Sequence, residues 1–483
     1  MNSPSTINPI IPGFSPDPSL ILVDGTYFLV NSTFHLFPVT HKLEYGDHLV
    51  ATGGLYAPTI RNHNGTFYVV CTNVVNHDKD GSKSELQNFI VSTTDIYASK
   101  WSDPVSFDFY GIDPSLFFDT DGKAYLCGSK SPGPQTKIML FEIDVKTGER
   151  LTEEKALWHG TGGIYPEGPH IYFHNSMYYL MVSEGGTHEG HSVTMARSKN
   201  LWGPYEPSPR NPILSAAGTD EYVQCTGHCE AFEGKNGEWW GVCLGIRMGA
   251  ARLYGLGRET FLTKGKWSND GWLSFDRAKT HLYGFEDVQD HLRLTAVPGV
   301  DLLYIHDPEL SRYSVSDQII ALAASPHDLT SAEASPTFIG KRQRRLEGTS
   351  SVKLLQSQTG TSVLAGLAIY KDETRFIRIF YSSQSLTINV QTINKAKGIE
   401  RTVQHELENE FGVLKLEIKY TEMEYTLSYA IDDGDVRELS KVPTLELSDK
   451  DFVGPIVGLY AVQESYANGD DQIIFKNFVV DTA

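Results

Sequence analysis

The sequence predicts an all-β protein, a five-bladed β-propeller followed by a β-sandwich. Three observations carry this. One hairpin frame recurs five times in the first 290 residues, and short alternating strands fill the chain from about residue 300. Among 483 residues there are 24 Tyr, 23 Phe and 43 Gly, a composition suited to strands joined by many turns. The boundary is placed between residues 295 and 296, because a chain of this length exceeds one ordinary core.

The first hairpin is "GFSPDPSLILVDGTYFLVNS", in which Asp17 precedes an apolar strand, an Asp24-Gly25 turn and an aromatic return strand. The frame returns from Ala57 with the turn Asn64-Gly65, and from Asp113 with Asp121-Gly122. It returns again from Glu167 with Asn175-Ser176, and from His228 with Asn236-Gly237. Asx-Gly pairs between apolar runs are strong hairpin signals, because the primed turns need positive φ. The copies start 40, 56, 54 and 61 residues apart, room for about four short strands each. If the strand after each anchor is innermost, all five anchors gather at one mouth of a central channel.

Three anchors are carboxylates, Asp17, Asp113 and Glu167, each beside proline in "PDPS", "IDPS" and "YPEGPH". One aspartate before Pro-Ser is an ordinary turn residue. Three at equivalent repeat positions form a constellation, held by a residue that fixes φ. Clustered carboxylates suit glycoside hydrolysis, which needs a protonated acid on one side of a sugar and an ionised group on the other. Like charges held close push one carboxyl up, keeping an acid protonated near neutral pH.

A formal charge of −19 argues against nucleic acid or anionic membrane as partners and leaves neutral sugars open. No stretch reaches the roughly 20 apolar residues of a membrane helix. The start "MNSPSTINPIIPGFS" lacks a basic segment and an apolar core, so the expected location is cytoplasmic, or secreted only if a leader was removed. Five cysteines, Cys71, Cys127, Cys225, Cys229 and Cys243, do not read as a disulfide framework, and with His228 they give no four-ligand zinc set.

At these residues the sequence resembles glycoside hydrolase family 43, the β-xylosidases and α-L-arabinofuranosidases. The similarity runs in order through "GFSPDPS", "GIDPSLF", "YPEGPHIY", "SEGGT", "ARSKNLWGPYE", "NPIL", "TGHCEAF", "NGEWWGVCLG" and "GRETFL", over residues 8 to 280. The resemblance implies a five-bladed propeller and an inverting mechanism. It implies Asp17 as general base, Glu167 as general acid, and Asp113 as the carboxylate that tunes and orients the acid. Arg258 resembles an arginine that binds the sugar, and Phe34 and Tyr56 resemble aromatics that wall the same subsite. Either ring otherwise reads as core, and Arg258 as a structural ion pair. His228 resembles a histidine at the channel centre, either plainly hydrogen-bonded or near a structural calcium ion reached through water. No cofactor is required by this reading. One departure is the short segment 40–52, which predicts a truncated first blade.

From about residue 300, "SVKLLQ", "TSVLAGLAIYK", "RFIRIFYSS", "SLTINVQTI" and "VLKLEIKYTEMEYTLSYAID" alternate with period two, as in an antiparallel sandwich. It resembles the concanavalin- or jelly-roll-like module of one branch of the family, which packs on the propeller and can close the pocket with a loop. The leading expectation is exo-hydrolysis of terminal xylose or arabinofuranose from plant-wall xylo- or arabino-oligosaccharides, by a monomer or a homo-oligomer. The alternatives are an endo-arabinanase and a catalytically impaired sugar-binding propeller.

Overall fold

A computed structural model describes residues 5–482, except 35, 37–42, 46–47, 51–52, 79–82, 99, 131–135, 250–251, 286–300, 333, 357–361, 408–409, 449 and 465–471. The expected domain boundary at 295/296 lies outside the described residues.

Residues before that gap form the propeller. Its inner strands are Ser19–Val23, Gly54–His63, Gly111–Phe118, Glu167–His174 and Val223–Glu233. Each contacts the next, and the last contacts the first, so the ring closes. The second to fifth blades are sheets of four or five strands. At the first position the described residues give a two-stranded hairpin, Ser19–Val23 with Thr26–Val30. Within the short segment, Leu43–Tyr45 pairs with His48–Val50 as a small separate hairpin. The expected truncation of the first blade concerns residues 40–52, of which 40–42, 46–47 and 51–52 lie outside the described residues.

Blades are held apart and together by apolar side chains packed between neighbouring sheets. Val70 and Ile90 meet Phe109, Leu116 and Leu126 between blades two and three. Leu20 meets Phe232, Trp240 and Val242 between blades five and one. Trp240 is fully buried, and truncating a core ring of that size removes about 3–5 kcal/mol. Asn8 closes the ring: its side chain donates to Leu262 O and Lys279 O, both at 2.8 Å, and accepts from Leu262 N at 3.0 Å.

The C-terminal part is a sandwich of two seven-stranded antiparallel sheets. Leu322, Ile377, Leu416, Leu427 and Leu459 fill the space between them. A second apolar cluster on the outer face, with Phe338, Tyr370, Phe376 and Tyr460, takes in Leu36 of the propeller. No helix among the described residues is long and apolar enough to cross a membrane.

Candidate active site

The anchors do gather, and their backbone explains how. Asp17, Ala57, Asp113, Gly168 and His228 all have φ between 33° and 55°, the left-handed region. The inner strands of blades two to five break register at this point, between Tyr56 and Thr59, Ile112 and Ser115, Glu167 and His170, and Gln224 and Glu230. A bulge of this kind re-aims one side chain out of the ladder and is placed beside functional sites.

This corrects one expectation. Glu167 was aligned with Asp17 and Asp113, but Gly168 holds the left-handed position and precedes Pro169, as Asp17 and Asp113 precede Pro18 and Pro114. Glu167 therefore enters the site one residue earlier than the other two. Glycine suits the anchor there because the His228 ring lies against it; a Cβ would sit 3.0–3.1 Å from three ring atoms.

Two to four residues farther along each strand, the channel is plugged by polar groups. Ser19 Oγ donates to Glu230 Oε2 at 2.5 Å, Arg61 Nη1 meets Glu230 Oε1 at 2.6 Å, and Ser115 lies 3.1 Å from His170 Nδ1. The site above thus has a closed floor.

Asp17 is buried. Its Oδ1 accepts from Arg258 Nη1 at 3.1 Å and faces His228 Nδ1 at 3.6 Å; its Oδ2 accepts from Ser32 Oγ at 2.6 Å. Ser32 in turn accepts from the Ala57 N–H, which ties the first anchor to the second. Burial pushes Asp17 up, but Arg258, His228, the Ser32 hydroxyl and His191 outweigh it and hold the carboxyl below its usual range. Asp17 is an ionised acceptor.

Asp113 is equally buried, and its Oδ2 accepts from the Gly168 N–H at 2.9 Å. Burial pushes it up to about 7, and the carboxylates of Glu167 and Asp17 push the same way, against His228 and the Gly168 N–H. Asp113 is thus raised beside Glu167, and its acceptor bond runs to the residue that follows Glu167. Glu167 is the most open of the three, its side chain 23% exposed, with Oε1 3.4 Å from His191 Nε2.

Arg258 is brought to the site as expected, and as an ion-pair partner of Asp17. It also donates to Thr187 Oγ1 at 3.3 Å and to the Phe452 carbonyl at 3.4 Å, and lies 5.4 Å from the Phe452 ring. Tyr56 packs at the same edge, against buried Phe14 and Val453. The backbone of Phe34 pairs with Gly54, while its side chain lies outside the described residues. His228 joins Asp17, and its N–H donates to Ser183 Oγ at 2.6 Å. Among the described residues no group of three or more His, Cys, Asp and Glu could hold a metal ion. All five cysteines are free and buried.

Two residues at the site were not foreseen. His191 immediately precedes the strand Ser192–Ser198 and belongs to no repeat. Phe452 comes from the sandwich, on a loop whose signal in the sequence is only its "DFVGP" turn. The Phe452 ring lies tilted against His188, with centroids 5.4 Å apart, as well as beside Arg258, so a residue of the sandwich borders the site.

Residues 6–273 match the sequence profile of "Glycosyl hydrolases family 43", and residues 295–480 that of the "Beta xylosidase C-terminal Concanavalin A-like domain". The chain is 33% identical over 503 residues to a non-reducing end α-L-arabinofuranosidase of Bacteroides ovatus, covering 95% of this chain and 92% of that one. It is 37% identical over 298 residues to a xylosidase/arabinosidase of Butyrivibrio fibrisolvens, 55% of either chain. The fold superposes on a xylan β-1,4-xylosidase from Bacillus halodurans with a TM-score of 0.83 at 26% identity, over 97% of this chain and 99% of that one.

Proposed function

This chain belongs to glycosyl hydrolase family 43, and from that premise we propose Asp17 as the general base, Glu167 as the general acid and Asp113 as the residue that tunes and orients the acid. The protein is an inverting glycosidase of the β-xylosidase and α-L-arabinofuranosidase type. One water attacks the anomeric carbon while Asp17 takes its proton. Glu167 gives its proton to the glycosidic oxygen, and the C–O bond breaks with its electron pair on that oxygen.

The observation that carries this assignment is the division of charge within one cavity. Asp17 is held ionised by Arg258, whereas burial and the other two carboxyls raise Asp113 beside Glu167. A base must be ionised, which the surroundings of Asp17 provide, and Glu167, the most open of the three carboxyls, is the one placed to meet a leaving group. Phe452, a sandwich residue set against Arg258, supports an exo-acting pocket over an open groove.

Initial rates on para-nitrophenyl β-D-xylopyranoside and α-L-arabinofuranoside test the reading and rank the two pentoses. Proton NMR of the first sugar released tests inversion. Internal cleavage of linear arabinan, without release from either glycoside, would establish the endo-arabinanase alternative. Sugar binding without hydrolysis of any of these substrates would establish an impaired propeller.

A further inference from the structure

His191 is the least accessible polar side chain at the site, with 0% of it exposed. Three features of the fold hold it there. Its Nδ1 lies 3.3 Å from the carbonyl of Cys225. Cys225 is itself left-handed, at φ 56°, inside the bulge between Gln224 and Gly227, which frees that carbonyl from the ladder. The ring lies over Gly227, where a Cβ would come within 2.3–2.4 Å of three ring atoms. A strained residue and an obligatory glycine are both committed to placing one imidazole.

A carbonyl oxygen can only accept, so the proton of the neutral ring sits on Nδ1. Nε2 then carries a lone pair, completes no hydrogen bond, and faces Glu167 Oε1 at 3.4 Å. A bare nitrogen opposite a carboxyl oxygen is satisfied only by a proton between them. Building on the acid assignment above, we propose that His191 is a positioning residue that shares the catalytic proton with Glu167. In the free enzyme the Glu167 O–H is donated to Nε2; with substrate bound, the same proton passes to the glycosidic oxygen, leaving the carboxylate. The proton is recovered from solvent at product release, through the exposed face of Glu167.

The other titratable groups that interact with the imidazole are Asp17 from the first anchor and His188 from the same loop. Among the described residues, Glu167 is the carboxyl that stands opposite Nε2.

The test compares kcat/KM against pH for the wild type, His191→Asn and His191→Gln, on xylobiose and on para-nitrophenyl xyloside. The Asn amide can keep the bond to Cys225 but places nothing at Nε2. The Gln amide reaches toward Glu167 but cannot take its proton. For His191→Asn the alkaline limb should move to lower pH, because the protonated acid loses its acceptor; His191→Gln, whose amide oxygen can still accept the O–H, should move it less. The kcat on xylobiose should fall roughly tenfold or more, with KM little changed and a smaller loss on the activated aryl glycoside. An unmoved alkaline limb, or equal losses on both substrates, overturns the proposal. Nitrogen-15 NMR of the wild type gives an answer independent of folding of the variants. The His191 signal, identified by its response to Glu167→Gln, should show Nδ1 protonated and Nε2 bare; the opposite tautomer overturns the proposal. A wild type that hydrolyses neither substrate would instead refute the function proposed above, while the tautomer could still be read.

Discussion

Arg258 donates from Nη1 to Asp17 Oδ1 at 3.1 Å, and both side chains are more than nine-tenths buried. The pair sets the protonation state of the proposed base. Burial alone would raise Asp17, and Arg258 is the largest of the influences that bring it down. Replacing Arg258 by Gln therefore raises Asp17. The acidic limb of kcat/KM should move to higher pH, because the base now takes up its proton earlier as pH falls. The plateau should drop about a hundredfold, as when one preorganised donor is lost from a catalytic site. A pH profile on an aryl pentoside measures both effects. An acidic limb that stays in place would show that some other carboxylate is the base.

Glu167 and Asp17 should separate by leaving group. Glu167→Gln removes the proton donor, so hydrolysis of xylobiose should fall by about 10²–10⁴ while nitrophenyl glycosides, whose leaving oxygen needs little protonation, lose much less. Asp17→Asn removes activation of the water, which every substrate requires, and should inactivate toward all of them. Steady-state rates for the two variants on both substrates decide the matter. Equal losses for Glu167→Gln on both would remove it from the acid role.

Asp17 and Asp113 were legible because Asp-Pro, an apolar strand and an Asx-Gly turn repeat along the chain, and the propeller turns that repeat into a ring. Glu167 was legible as a member but misplaced by one residue. The sequence offers Glu and Gly side by side, and only the left-handed backbone at Gly168, under the His228 ring, shows which of them holds the anchor. His191 could not be found this way, since its place depends on a bulge 34 residues away at Cys225. Phe452 lies 194 residues from Arg258 and in another domain, so no local pattern connects them.

The sandwich holds Phe452 through a buried ionic cluster. Asp451 Oδ2 accepts from Lys371 Nζ at 2.8 Å and Arg375 Nη1 at 2.6 Å, and its Oδ1 accepts from the Val453 N–H at 3.2 Å. Arg375 also forks onto Asp372 Oδ2, at 2.9 and 2.6 Å. Asp451→Ala leaves two buried cations short of a partner, a loss of about 3–5 kcal/mol. It should lower the melting temperature by several degrees and raise KM at the same time. Phe452→Ala touches none of these charges and should raise KM with a melting temperature close to wild type. Thermal melts beside Michaelis curves separate the two effects, and an unchanged KM in Phe452→Ala would show that the sandwich does not shape the pocket.

Asp113 should be a burden on stability that the site retains for chemistry. Its carboxyl titrates near 3.8 in an exposed chain and is pushed up to about 7 in the fold, first by burial and then by the neighbouring carboxylates. Between those values the native state holds a proton that the unfolded chain has released. Stability from this group is therefore undiminished below the lower value, falls as pH rises through the window, and stays reduced above it. Asp113→Asn mimics the protonated form and keeps an oxygen for the Gly168 N–H at 2.9 Å. The variant should match the wild type near pH 4 and exceed it above pH 7 by on the order of 1–3 kcal/mol, while losing much of its activity. Urea unfolding at the two pH values measures the difference. A variant no more stable than the wild type at the higher pH would mean that Asp113 is ionised at no cost in the folded protein.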